Sequence, residues 1–447
     1  MNLDRRGFLA AGGALAAAAL APGTLLAAIE RQAARSAAAK PATDLGSWAA
    51  VKALFPLSPG YTHMSSFFFV SHPRPVREAI EHYRAALDEE PYLFIEHKAL
   101  TEHGVYEPLL AELASYVGSA PNEIALMPNT TTGLALVYHG IPLKRGDEVL
   151  STTHDHYSHF ESIRYATTRA GATVRRVALY DRGADANRDE ILRRVRAAIR
   201  PQTRVLGVTW VHSSSGVRLP IADIAQVVRD VNRSRTGTNR LLLVVDGVHG
   251  FGCSDVDVAK LGADFFCAGT HKWMFAPRGT GIVYAPAANW KMMQPVIPDF
   301  MSPEHFYGWM QGKPAPPMDA AQMSPGGFQA YEHQWGMKAA FEMHRKLGRA
   351  RVAARIRELN DRIKAGLAST RGVTLHTPRD PELSGGVNCF EVRGVKPEEV
   401  VAKLLERKIV ASTSPYGVTY ARLCGALVND EADIDRSLQA VKDLVPA

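Results

Sequence analysis

Leu241-Leu242-Leu243-Val244-Val245 runs directly into Asp246-Gly247-Val248-His249, and this junction decides how the chain folds. Five apolar residues in a row read as a strand buried on both faces, as in a parallel sheet covered by helices on either side. Outward from it the same rhythm recurs. Residues 123–127, 148–152, 173–178 and 204–210 read as strands, and 158–170, 188–199 and 221–232 carry helical periodicity. Strands alternating with helices predict an α/β fold, a mostly parallel sheet in a large domain over residues 45–330. Two helices are expected ahead of the first strand, over 76–87 and 106–117, the former begun by Pro73 and Pro75. Beyond residue 330 the texture changes. A long helix over 332–369, strands at 387–392, 409–410 and 420–423, a helix over 397–408 and a closing helix from Asn429 predict a smaller α+β domain over 331–447. The Pro- and Met-rich stretch 294–327 matches neither period and reads as a functional or interface loop.

The 447 residues carry a formal charge of +7, of which the first 44 residues supply +2. The remainder reads as spread out, with no basic run interleaved with aromatics, which points away from nucleic acid and towards small anionic substrates. The four cysteines show no CxxC spacing, and Cys253 and Cys267 sit in apolar stretches where inert buried thiols are expected. Asp4-Arg5-Arg6-Gly7-Phe8-Leu9 precedes an uncharged, Ala-rich run to Ala28. This pattern is similar to a twin-arginine export signal. It predicts a signal over 1–28, a linker over 29–44, the twin-arginine machinery as partner and a periplasmic destination.

The chemistry concentrates after the apolar strand. Asp246 stands at its carboxyl end, where open α/β sheets bind ligands. Gly269-Thr270-His271-Lys272-Trp273 follows a second apolar segment, and Lys272 sits in an otherwise uncharged surrounding. An aldehyde cofactor needs both groups: an amine to bond it, and a carboxylate to keep its ring nitrogen protonated. His249 and His271 stand beside them. Asn129-Thr130-Thr131-Thr132-Gly133 opens a helix after a strand and offers donors to a phosphate. His154, His156 and His159 are open to two readings, a zinc site or an aromatic ring on the cofactor. Arg422 is placed to hold a substrate carboxylate or to bridge the domains.

Together, Pro128–Gly133, Asp155-His156, the run 210–216, Asp246–His249 and His271–Trp273 with Pro277-Arg278-Gly279 resemble the class V aminotransferase superfamily. The likeness falls in its isopenicillin-N-epimerase-like branch, and exported members associated with pyoverdine maturation are a further similar group. The resemblance implies a fold type I, pyridoxal-phosphate-dependent homodimer acting at the α-carbon or amino group of an amino-acid-type substrate. It implies Lys272 as the cofactor's covalent anchor, Thr130 and Thr131 on the phosphate and His156 stacked on the ring. It also implies Asp246 on the ring nitrogen, His249 on the ring oxygen and Arg422 on the substrate carboxylate. Cysteine desulfurases share the fold but need a cysteine in the loop that here reads Ser412-Thr413-Ser414-Pro415-Tyr416-Gly417, which has none. Besides aminotransferase or epimerase chemistry, the sequence leaves a decarboxylase or lyase of siderophore maturation, a zinc hydrolase and a binder without turnover as alternatives.

Overall fold

The computed structural model describes residues 43–101 and 104–446. A seven-stranded sheet organises the chain. Its strands are β1 (Ile124–Met127), β2 (Glu148–Thr152), β3 (Thr173–Val177), β4 (Thr203–Thr209), β5 (Leu242–Asp246), β6 (Phe265–Gly269) and β7 (Gly281–Tyr284). Their spatial order is β1-β7-β6-β5-β4-β2-β3. All pairings are parallel except those of β7, which runs antiparallel to both β6 and β1. The α/β reading therefore holds, with one reversed strand that it missed.

Alternate residues of β5 face different layers. Leu242 and Val244 pack with Leu134, Val137, Tyr138 and Ile163. Leu243 and Val245 pack with Leu109, Leu113, Ile191, Ile224 and Phe341, all on helices of the opposite layer. The helices are α1 (Arg74–Glu89), α2 (Tyr106–Val117), α3 (Thr130–Gly140), α4 (Tyr157–Ala170), α5 (Arg188–Ala198), α6 (Ile221–Asn232), α7 (Tyr331–Leu347), α8 (Arg349–Ser369), α9 (Pro397–Glu406) and α10 (Glu431–Lys442). Gly207 in the middle of β4 permits one close approach: a Cβ there would stand 2.1 Å from the Tyr138 hydroxyl.

A second sheet of four antiparallel strands follows, in the order β10-β11-β9-β8: β8 (Val373–Leu375), β9 (Asn388–Val392), β10 (Ser412–Thr413) and β11 (Ala421–Leu423). Leu45–Ala447 forms one compact unit. Several expectations are corrected here. The single helix over 332–369 is two helices, because Gly348 takes φ +86 and turns the chain between α7 and α8. Residues 409–410 leave the small sheet and pair in parallel with Thr62–His63. The stretch 294–327 contains two short helices, Pro303–Met310 and Ala320–Met323, each with a side-chain cap from Ser302 or Asp319. Cys253 is half-buried rather than buried. The proposed signal, and all but the end of the linker, lie outside the described residues.

Candidate active site

Parallel strands end in loops on one edge of the sheet, and β5 and β6 bring their ends together there. Asp246 closes β5, and Gly247 N donates to Cys267 O of β6 at 2.8 Å, locking the following turn to the neighbouring strand. The turn wraps so that Val248 N donates to Asp246 Oδ1 at 3.1 Å and presents His249. From β6 the chain makes a tight excursion before returning as β7. Thr270 N donates to Thr280 O at 3.1 Å, the two threonine hydroxyls meet at 2.6 Å, and Ala276 N donates to Thr270 O at 3.1 Å. Phe275 takes a left-handed φ of 53° inside this closed loop. Lys272 projects from it, its Nζ 3.1 Å from His249 Nε2.

These side chains share a cavity of about 240 Å³ with Thr130, Thr131, His156, His271 and Arg422. Every cofactor or substrate residue expected from the sequence is on its wall. Asn129 caps α3, its Oδ1 accepting from Thr132 N at 2.8 Å, and Thr130 Oγ1 accepts from Gly269 N at 2.7 Å. The cap thereby ties the helix start to the end of β6. First-turn amides have no helical partner, so this end suits a phosphate. His156 caps α4, with Nδ1 2.9 Å from Ser158 Oγ. Arg422 comes from β11, directs Nη1 to Ser213 O at 3.0 Å and Nη2 to Thr413 O at 2.6 Å, and stacks over Phe67 at 4.7 Å.

Burial dominates the electrostatics. It pulls the Lys272 ammonium down to about 8, with Asp246 opposing the shift and Arg422 reinforcing it. The same burial raises the Asp246 carboxyl and lowers His249, His156, His271 and the Arg422 guanidinium. Among the described residues no cation stands at ion-pair distance from Asp246. His249 Nδ1 and Arg422 Nε are buried without a hydrogen-bond partner. A buried carboxylate lacking a cation, an unpartnered imidazole nitrogen and a half-buried amine fit pyridoxal phosphate: a protonated ring nitrogen, a ring oxygen and an aldehyde supply what each lacks.

The zinc reading is overturned. His154 stacks on Tyr180 at 3.8 Å and accepts from Leu179 N, while His159 meets the Tyr138 hydroxyl at 2.7 Å and Thr209 Oγ1 at 3.3 Å. With His156 capping its helix, the three rings serve different partners, and no metal-ligand cluster exists among the described residues. Asp155, fully buried, instead ties strand ends together by accepting from Ser151 Oγ, Thr152 N and Thr209 N.

Sequence reading missed Phe67, Phe68, Ser158 and Thr209 on the cavity wall. The one available signal was the aromatic run Phe67-Phe68-Phe69 outside any periodic element. Cys267, Cys389 and Cys424 are fully buried in the core, and no thiol lines the cavity among the described residues.

Fold and site together define a pyridoxal-phosphate-dependent enzyme of fold type I. The model of the class-V aminotransferase family matches residues 71–429, and the chain belongs to that family. It is similar to isopenicillin N epimerase of Streptomyces clavuligerus, 27% identical over 83% of this chain and 92% of that protein. A probable cysteine desulfurase of Methanothermobacter thermautotrophicus is 23% identical over 78% of this chain and 82% of its own length. Among solved structures, the cystine C–S lyase C-DES in complex with its product cysteine persulfide superposes with a TM-score of 0.78 at 23% identity. That match covers 88% of this chain and all of the other.

Proposed function

We propose that the protein removes and returns a proton at the α-carbon of an amino acid or amino-acid-containing metabolite, in aminotransferase or epimerase fashion. The observation that carries this reading is Lys272: an amine with its pKa pulled to about 8, 3.1 Å from His249, in a cavity shared with Asp246 and Arg422. Bound pyridoxal phosphate supplies the electron sink for breaking a bond at the substrate α-carbon. Lys272 would anchor it and, once displaced by the substrate amine, is the base in reach of the α-proton. Asp246 would hold the ring-nitrogen proton, His249 would contact the ring oxygen, and Thr130 and Thr131 would hold the phosphate. His156 would cover the ring face, its own ring centroid standing 6.0 Å from that of Tyr416 in an edge-on arrangement.

Arg422 supports proton exchange over decarboxylation. Both its Nη groups are fixed by backbone carbonyls, so a substrate carboxylate would meet a rigid clamp and resist turning out of the ring plane. Among the described residues no thiol lines the cavity to take up a substrate sulfur as a persulfide. Incubation of the loaded enzyme with candidate amino acids in deuterated water should show α-proton exchange that Lys272→Ala abolishes. Carbon dioxide release without exchange would replace this reading with the lyase one.

Two further parts of the proposal rest on other features. A homodimer is supported by the exposed Phe300, Phe306, Trp309, Met310 and Phe328 between residues 300 and 328. A monomeric mass in sedimentation would remove it. Twin-arginine export rests on Arg5 and Arg6, and periplasmic delivery of the Arg5→Lys, Arg6→Lys variant would disprove it.

A further inference from the structure

The positive charge is not evenly distributed. Residues 141–240 hold 18 Lys and Arg against 10 Asp and Glu, a net +8 that exceeds the +7 of the whole chain. Folding gathers part of it at the N-terminal end of the sheet, where β4 and β5 begin. Arg204, the second residue of β4, is 6% exposed and donates from Nη1 to the backbone carbonyl of Arg240. Arg235 donates from Nη1 to Thr203 O at 2.5 Å and from Nη2 to Arg200 O at 2.7 Å. Arg235 thus lies on residues 200–203 at the start of β4, and Arg204 reaches from there to Arg240 just ahead of β5.

The carboxylates at this end are already committed. Glu148 accepts both arms of Arg175 at 2.8 and 2.9 Å and the Thr203 hydroxyl at 2.6 Å, with Arg200 at 3.7 Å. Asp264 takes Arg240 at 2.5 Å, Leu243 N at 2.8 Å and Asn289 Nδ2 at 3.0 Å. Asp230 takes Arg233 at 3.2 Å and Arg196 at 4.0 Å, and Asp147 accepts from Lys144 N. Among the described residues no ion pair reaches Arg204 or Arg235. Burial pulls the Arg204 guanidinium below its ordinary range; Asp147 and Asp264 oppose this, while Arg240 and Arg235 add to it. A nearly buried cation held only by neutral carbonyls, next to two others, is costly unless an anion completes it.

We propose that Arg204, Arg235 and Arg240 form a binding site for a phosphate-bearing anion, separate from the cofactor cavity. Three guanidinium groups set against Asp264, with Asp147 also acting on Arg204, leave a net positive charge that an anion balances. Phosphate oxygens also match the planar fork of each arginine, as a single carboxylate cannot for three of them. The site lies at the far end of β4 from Thr209 on the cavity wall, five residues or roughly 17 Å away. A soluble phosphate ester and a phospholipid headgroup share this chemistry.

The test uses protein loaded with pyridoxal phosphate, so that the cavity's own phosphate position is filled. Calorimetric titration with inorganic phosphate at fixed ionic strength should show one binding event that Arg235→Gln weakens at least about tenfold. Cofactor absorbance should be unchanged in that variant, which separates failure here from failure of the active-site reading. Arg235 touches only backbone carbonyls, so its loss should leave the fold intact; Arg204→Lys, which keeps the charge but not the fork, should also weaken binding. Sedimentation with phosphatidylglycerol or phosphatidylcholine vesicles distinguishes the sources. Phosphate-competed binding to the anionic vesicles assigns a lipid headgroup, and phosphate binding without vesicle binding assigns a soluble ester. No phosphate binding by the loaded enzyme, or binding equal in wild type and both variants, would overturn the site.

Discussion

The two ends of the seven-stranded sheet are made from the same residue types and use them in opposite ways. At the N-terminal end carboxylates are matched: Glu148 with Arg175, Asp264 with Arg240. At the C-terminal end no cation among the described residues stands at ion-pair distance from Asp246, Arg422 gives its Nη groups to carbonyls, and Lys272 faces a neutral imidazole. Both ends are buried, so burial alone does not mark the active site. What marks it is polar groups left without partners, since a fold retains such groups at a cost that a ligand can remove. Arg204 and Arg235 at the other end are hydrogen-bonded to carbonyls but, among the described residues, likewise have no carboxylate at ion-pair distance.

Breaking the contrast at Asp246 should have the largest effect. Asp246→Asn keeps the shape but cannot hold a ring-nitrogen proton, and turnover should fall on the order of a thousandfold, about 4 kcal/mol of barrier. Cofactor should still bind, as visible absorbance would report; wild-type turnover in this variant would mean that the carboxylate is only structural. Next comes Arg422→Gln. Losing a charge-assisted pair to the substrate carboxylate should raise KM by roughly 10–100-fold, about 1.5–3 kcal/mol, with a smaller change in kcat. An unchanged KM would return Arg422 to the bridging role.

A third effect, on stability rather than turnover, runs the other way. Burial brings Lys272 from its ordinary 10.5 to about 8, so the folded apoprotein binds that proton more weakly than the unfolded chain does. The resulting penalty is complete below pH 8 and fades as pH rises from 8 to 10.5. Lys272→Met should therefore raise the Tm of the apoprotein at pH 7, and the gain should vanish above pH 10.5. A lower Tm at pH 7 would show that the amine stabilises the fold.

Much of this architecture was legible because the central strands β5 and β6 are apolar up to their last residues and the helices keep a clean period; α2 and α6 fall where the periodicity places them. β7 escaped because Gly281–Tyr284 is only four residues long and follows Pro277-Arg278-Gly279 without alternation. The break at Gly348 escaped because apolar spacing continues on both sides of it. At the site, Asp246 and Lys272 were readable from strand ends and an uncharged surrounding. Phe67 and Ser213 were not, because chain segments far apart in sequence carry them to Arg422. The histidines of 154–159 left two readings open for a related reason: three ligand-type residues close in sequence point to different partners once a strand end and a helix start separate them.

The hairpin that carries Lys272 has a dynamic consequence. Its stem is zipped by β6 and β7, and Thr270 is bonded to Thr280 through both backbone and side chain. The ladder amides of β6 and β7 should accordingly exchange with solvent on the timescale of global opening, whereas those of a solvated loop would exchange at once. The lysine would then have to move between anchor and base by rotation about its own side-chain bonds alone, a swing of nanoseconds or faster that needs no rearrangement of the chain.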